Sequence, residues 1–311
     1  QYPPEEVGFL VVDFKGDSIA GKLTGLPHLR GVITSLDGEE LRRSLVSIGA
    51  ENKKRLKLFK EYNEKHPEEK KKISDIRDYT EKYRQGKVTE PLPHLFIVVD
   101  EFAEMKKQLP DVMDQFLTAA QIGRSLGVHL ILATQSPSGV VDNKIRANIF
   151  KQLCLKVANA GESRDMIGSE LAARIKDPGR AYLKIDDSLQ LFQSAYGGGK
   201  LKLPDGSEST QLREAVDAIA SCCRRNGIQK LPGIFCPPLP ASAVYPRLSP
   251  EDVSARPFGM LPIGVRDDPA GQFMGEYRMD VFSRNTMIVG SQMMGKTNLL
   301  QTILHGAAEL Y

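Results

Sequence analysis

Three short apolar runs along the chain stop abruptly on polar residues: Val7-Gly8-Phe9-Leu10-Val11-Val12-Asp13, Leu95-Phe96-Ile97-Val98-Val99-Asp100-Glu101, and Val128-His129-Leu130-Ile131-Leu132-Ala133 before Thr134-Gln135. Their length and β-branched content predict strands buried on both faces, as in a parallel sheet covered by helices. Leu29 to Ile33 is expected to add a short strand. From Gly38 to about Lys65, Leu41, Leu45, Ile48, Leu56 and Phe59 recur at helical spacing among Arg, Lys and Glu. That pattern predicts a long sheet-covering helix with a solvated basic face rather than a nucleic-acid reader. A second helical stretch, Phe102 to Gln121, is interrupted at Pro110, which can start a new helix, and is stopped by the glycines of Ile122 to Gly127. Strand, turn and helix thus alternate as in βαβ units.

Between these runs, His66 to Thr89 is a lysine-rich insertion expected to form surface helix and loop, the most mobile part of the first module. Phe150 to Val157 and Arg180 to Ile185 read as further strands, joined by a helix around Glu162 to Ile167. Gly197 to Ser209 is a linker or an exposed hairpin tip, Gln211 to Arg225 a short amphipathic helix, and Leu231 to Pro262 a proline-rich stretch. A second module begins near Leu261, with a strand at Thr286 to Val289 and a helix at Asn298 to Ala308. The expected division is a first module over 1–200, a connection over 201–260 and the start of a second module over 261–311.

Composition adds bounds. The 311 residues are 41% hydrophobic and 26% charged, enough for one to three globular domains. Lysine and arginine number 42 against 39 acids, so the net charge of +3 implies neither nucleic acid nor an anionic membrane as partner. Cys154, Cys222, Cys223 and Cys236 form no Cys-x-x-Cys pair, and they read as reduced thiols of a cytoplasmic protein. No apolar run approaches the roughly 18 residues of a membrane span, and no signal peptide opens the chain. The first residues run straight into a strand and the last break off inside a helical pattern, so a piece of a longer polypeptide is expected, whose other parts could include membrane segments.

Two stretches carry chemistry. Gly290-Ser291-Gln292-Met293-Met294-Gly295-Lys296-Thr297 fits G-x-x-x-x-G-K-T between a strand pattern and a helix pattern. Its backbone amides and the following helix N-terminus can bind phosphates, Lys296 can reach the β- and γ-phosphates, and Thr297 can ligate Mg²⁺. Met293 and Met294 stand where small residues are frequent, which leaves catalysis less determined than binding. Asp100 and Glu101 stand where a nucleotide hydrolase places its Walker B acids, the first for Mg²⁺ and the second for the attacking water. A core strand ending in a solvated acidic turn is the alternative. Gln135 can bond both a γ-phosphate oxygen and the attacking water, or simply cap the Ser136-Pro137-Ser138-Gly139 turn.

Walker B precedes the P-loop here by well over a hundred residues, the reverse of the usual order. Two incomplete modules account for this, and a circularly permuted single domain is the rival. Beyond the Walker residues, Val11-Val12-Asp13-Phe14-Lys15-Gly16, Val98-Val99-Asp100-Glu101-Phe102-Ala103-Glu104, Gly123-Arg124-Ser125-Leu126-Gly127-Val128-His129-Leu130, Ala133-Thr134-Gln135-Ser136-Pro137-Ser138-Gly139-Val140-Val141-Asp142 and Asp267-Asp268-Pro269 are specific words. With them the chain resembles the FtsK/SpoIIIE branch of P-loop motor ATPases, and more closely the tandem ATPase of type VII secretion systems. That resemblance implies an α/β, RecA-like sheet covered by helices, linked to the start of a second similar module. It also implies a membrane-anchored hexameric motor that uses ATP and Mg²⁺ at the cytoplasmic face of the cell membrane to export small helical secreted proteins. Asp100 and Glu101 take the Walker B roles, Gln135 the sensor role, and Arg124 matches an arginine finger that reaches a neighbour's nucleotide. A charge at a helix C-terminus is Arg124's other reading, and Arg146 and Arg164 are rivals. Asp17-Ser18 departs from the glycine usual after Lys15-Gly16. A double-stranded DNA translocase and a nucleotide-binding scaffold without turnover are the other functions considered; DNA is disfavoured because no separate DNA-reading pattern is visible.

Overall fold

The computed structural model describes residues 2–13, 19–34, 38–135, 137, 141, 145, 149–244, 259–281 and 285–310. They fall into two compact units, Gln1–Phe235 and Cys236–Tyr311.

The first unit is built on a four-stranded sheet of β1 (Val7–Asp13), β2 (Leu29–Ile33), β3 (His94–Asp100) and β4 (Val128–Leu132), in the order β2-β1-β3-β4. Every neighbouring pair is parallel, so each crossover passes over a face of the sheet. One face packs Leu10, Val12, Leu95, Ile97 and Val99 against α1 (Gly38–Lys65), α3 (Phe102–Gln108) and α4 (Pro110–Gly123), through Leu41, Leu45, Ile48, Met105, Val112 and Phe116. The opposite face is covered unevenly. Over β1 and β2, Val11 and Leu29 pack with Val216 of an amphipathic helix spanning Gln211–Arg225. Over β3 and β4, Phe96 and Val98 are half-buried and Ile131 is exposed. The double-sided burial expected for the second and third runs therefore holds on one face only among the described residues, because the helix described on that side lies over the other half of the sheet.

The lysine-rich segment is better anchored than its composition implied. Asp75 caps α2 (Ile76–Arg84) by accepting from the N–H groups of Arg77 and Asp78. Ile73, Ile76, Tyr79 and Leu92 are buried together with Phe59, Tyr62 and Leu126. Lys82 and Lys87 both pair with Glu69 and hold its carboxyl down at about 2. The lysines thus neutralise acids that would otherwise border this small core.

An antiparallel sheet of β5 (Lys151–Cys154), β6 (Arg180–Ile185) and β7 (Ser188–Gln193) follows, and the hairpin alternative for Gly197 to Ser209 is realised as Lys200–Lys202 paired with Glu208–Thr210. The chain past 200 differs from a free connection as far as Phe235. Ile234 is buried in the main core, its N–H donates to Arg30 O at 2.9 Å, and Arg30 Nε donates to Pro232 O at 2.7 Å. Phe235 lies so close to Gly31 that a Cβ there would meet its ring at 2.6 Å. This strap covers the outer edge of β2, where unpaired strand groups would otherwise face solvent.

The second unit holds an antiparallel hairpin, β8 (Met260–Asp268) with β9 (Phe273–Asp280), and a helix, α5 (Lys296–Leu310). The strand expected at Thr286 to Val289 is not formed: residues 285–290 have no ladder partner among the described residues, and Met287 and Val289 are exposed. A strand exists only where a neighbour takes its N–H and C=O groups, and no segment described in this unit does so.

Candidate nucleotide site

From β1 the chain crosses to β2 on one side and then to β3 on the other, so the strand order reverses between β1 and β3. Ligands of open α/β sheets bind at the carboxyl ends of strands at such a reversal. Asp13 and Asp100 end these two strands and are register partners. Asp13 is fully buried and accepts from the N–H groups of Ile19 at 3.1 Å and Ala20 at 3.5 Å. Sequence reading noted that β1 ends on an acid; that it lies level with Asp100 needed the register. Phe14 to Ser18, including the Lys15-Gly16 and Asp17-Ser18 positions, lie outside the described residues.

Glu101 turns sharply out of β3 with φ 57° and ψ 54°, a left-handed conformation that costs a non-glycine residue about 1–3 kcal/mol. The turn brings its carboxylate over the tip of β4. Its Oε1 accepts from Thr134 Oγ1 at 2.7 Å and from the Gln135 N–H at 3.3 Å. Beneath it, Ala133 N–H donates to Val99 O and Phe102 N–H donates to Ala133 O, each at 2.9 Å. Asp100, Glu101 and Gln135 thus meet on one edge, and Thr134 joins them as a partner of Glu101 that the sequence pattern did not single out. Ser136, Ser138 to Val140, Asp142 and Arg146 lie outside the described residues.

Arg124 is elsewhere. It caps the C-terminus of α4 and precedes β4, whereas Thr134 and Gln135 follow it, so the five-residue strand, about 15 Å long, separates the two. The Arg124 guanidinium is exposed and stacks on the Phe150 ring at 4.5 Å. Its turn is held from two sides. Arg55 Nη1 donates to Leu126 O at 2.7 Å, and Ile76 N–H donates to Ser125 O at 2.8 Å. Gly127, at φ 80°, packs so tightly on Ile76 that a Cβ would approach it at 2.6 Å. Arg164 pairs with Glu170 on an exposed surface.

In the second unit, residues 290–295 form a loop that runs into the N-terminus of α5 at Lys296 and Thr297. Met293 at φ 64° and Gly295 at φ 82° turn the backbone to the left-handed region, as loops that converge amides on an anion do. Lys296 Nζ donates to the carbonyl oxygens of Gly290 at 2.6 Å and Ser291 at 2.7 Å, so the ammonium group lies folded over the loop. Ser291, Gln292, Met293, Met294 and Thr297 are exposed. Asp100 and Thr297 offer the hard oxygen donors that suit Mg²⁺, one in each unit. Among the described residues no cluster of three or more His, Cys, Asp or Glu forms a dedicated metal cage.

Residues 1–139 match the FtsK/SpoIIIE family. The ESX secretion system protein EccC of Geobacillus thermodenitrificans is 36% identical over 100% of this chain and 22% of its own length. The type VII secretion system protein EssC of Staphylococcus aureus is 35% identical over 99% of this chain and 23% of its length. The cytoplasmic domain of the Thermomonospora curvata type VII secretion ATPase EccC superposes with a TM-score of 0.72 at 27% identity, covering 90% of this chain and 32% of that one. The chain therefore spans less than a quarter of the curated relatives it matches. With its α/β fold and parallel sheet, the chain carries an FtsK/SpoIIIE-family domain over residues 1–139 and is homologous over its whole length to the type VII secretion proteins EccC and EssC.

Proposed function

We propose that this chain is a segment of an ATP-hydrolysing motor that powers protein export through a type VII secretion system. The observation that carries the reading is the meeting of Asp100, Glu101 and Gln135 on one carboxyl edge beside the strand reversal. In this reading the first unit supplies the Walker B half of one nucleotide site, whose phosphate cradle lies outside these residues. The second unit supplies the P-loop half of another.

Asp100 holds Mg²⁺ directly or through water, and the ion when bound neutralises phosphate charge. Glu101 orients the attacking water and accepts its proton, held to the β4 tip by the bond at 2.7 Å. Gln135 bonds the γ-phosphate and the water, and its backbone N–H links that contact to Glu101. Arg124 cannot reach this edge from the far end of β4, so it acts as a finger on the nucleotide of a neighbouring copy, in a hexamer. In the second unit the amides of Gly290, Ser291, Gln292, Met293, Met294 and Gly295 cradle phosphate, Lys296 leaves its carbonyl partners for the β- and γ-oxygens, and Thr297 ligates Mg²⁺. The working assembly lies at the cytoplasmic face of the membrane with other components of the secretion system, and small helical secreted proteins are its cargo.

Glu101→Gln introduced into the full-length protein is expected to stop export of those small proteins, while ATP hydrolysis by the parent protein is expected to be indifferent to added double-stranded DNA. Normal export by the variant, or hydrolysis that rises with DNA, would contradict the reading.

A further inference from the structure

Resting on the reading of Glu101 as the base, we infer that Thr134 is its positioning residue, a hydroxyl that aims the carboxylate at the attacking water and ties it to the sensor. Two donors from consecutive residues of the β4 tip converge on the same oxygen, Oε1: the Thr134 hydroxyl at 2.7 Å and the Gln135 N–H at 3.3 Å. Both donors on one oxygen fix the rotation of the carboxylate about its last bond, and so give the second oxygen a defined direction. A hydroxyl donating to a carboxylate is a charge-assisted bond, stronger than a bond between neutral groups. The side chain making it is β-branched and therefore stiff at χ1.

The backbone tells the same story. Glu101 stands at φ 57°, a conformation that persists in a non-glycine residue only where surroundings fix it. The bonds from Ala133 N–H to Val99 O and from Phe102 N–H to Ala133 O clamp the chain on both sides of the turn. The base is thus part of a joint between two strand tips, and one side of that joint is the sensor itself. A γ-phosphate that draws on the Gln135 side chain moves the same backbone N–H that holds Oε1, and Thr134 keeps the carboxylate aligned through that movement.

The test uses the full-length protein with Thr134→Val, which removes the hydroxyl at nearly constant volume, Thr134→Ser, which keeps it, and Glu101→Gln. Thr134→Val is expected to lower kcat about tenfold to a hundredfold, with KM for ATP unchanged, as a misaligned base does. Thr134→Ser should restore the rate. A Thr134→Val enzyme with the parent's kcat, or one whose KM for ATP moves in step with kcat, would overturn the inference, and so would a Thr134→Ser enzyme as impaired as Thr134→Val, since packing rather than the hydroxyl would then matter. Undiminished turnover by Glu101→Gln would remove the base itself; loss there with an unchanged Thr134→Val removes only the role of Thr134.

Discussion

Residue by residue, side chains near one another in sequence part company in space. Arg124 and Gln135 are separated by one short strand, yet they stand at opposite ends of it. One therefore belongs with Glu101, and the other faces outward on Phe150. On the proposed reading, a guanidinium placed there acts on a neighbouring subunit's nucleotide and not on that of its own. Arg124→Ala in the full-length protein should accordingly slow ATP turnover by about 10³-fold in the assembled oligomer and leave the slow hydrolysis of dilute monomers unchanged. Steady-state rates measured across a concentration series check this, and an equal loss at every concentration would make Arg124 a structural residue. That Asp100, Glu101 and Gln135 come to one strand edge was legible because each ends an apolar run. The bond from Thr134 to Glu101 and the stacking of Phe150 on Arg124 were not, since such side-chain contacts carry no signal until their neighbours are known.

At the scale of elements, the long helix and parallel strands followed directly from periodicity, because α1 and β1–β4 each bury a regular face. Periodicity misled where cover was missing. Among the described residues, Thr286 to Val289 has a strand's composition without a strand's partner, and the second face of β3 and β4 has apolar residues without a helix over them. The reverse happened at α2 and at residues 232–235, where lysines and prolines looked like loop but their few apolar residues found a core. Pairing of β3 with β4 also brings two histidines together: His94 Nδ1 lies 3.0 Å from His129 Nε2. Burial pushes both imidazoles below the usual 6.5; Arg55 adds to this in each, His94 adds to it for His129, and the Asp75 and Glu6 carboxylates oppose it for His94. A neutral pair shares one N–H between two ring nitrogens, and a second proton would set like charges side by side. Because the folded pKa values are depressed, stability from this pair is complete above about pH 6.5 and is lost as pH falls below it, while the unfolded chain takes up protons. Urea midpoints at about pH 7.5 and about pH 5.5 should therefore fall for the parent and fall less for His94→Phe.

For the whole molecule, the acids that end β3 lie in one compact unit and the G-x-x-x-x-G-K-T loop in the other, the reverse of their usual order along a chain. The family resemblance was legible in the sequence because its words surround the strand ends, where backbone geometry and chemistry constrain the same residues at once. The boundary at Phe235 was not, since a proline-rich stretch that straps a sheet edge looks like one that hangs free. In the proposed reading Glu101 performs the chemistry of the first unit's nucleotide site. The most direct measurement is ATP hydrolysis and retained nucleotide in the full-length protein bearing Glu101→Gln. Loss of a general base predicts turnover lowered by about 10²-fold or more with ATP still bound. Turnover equal to that of the parent would contradict the account.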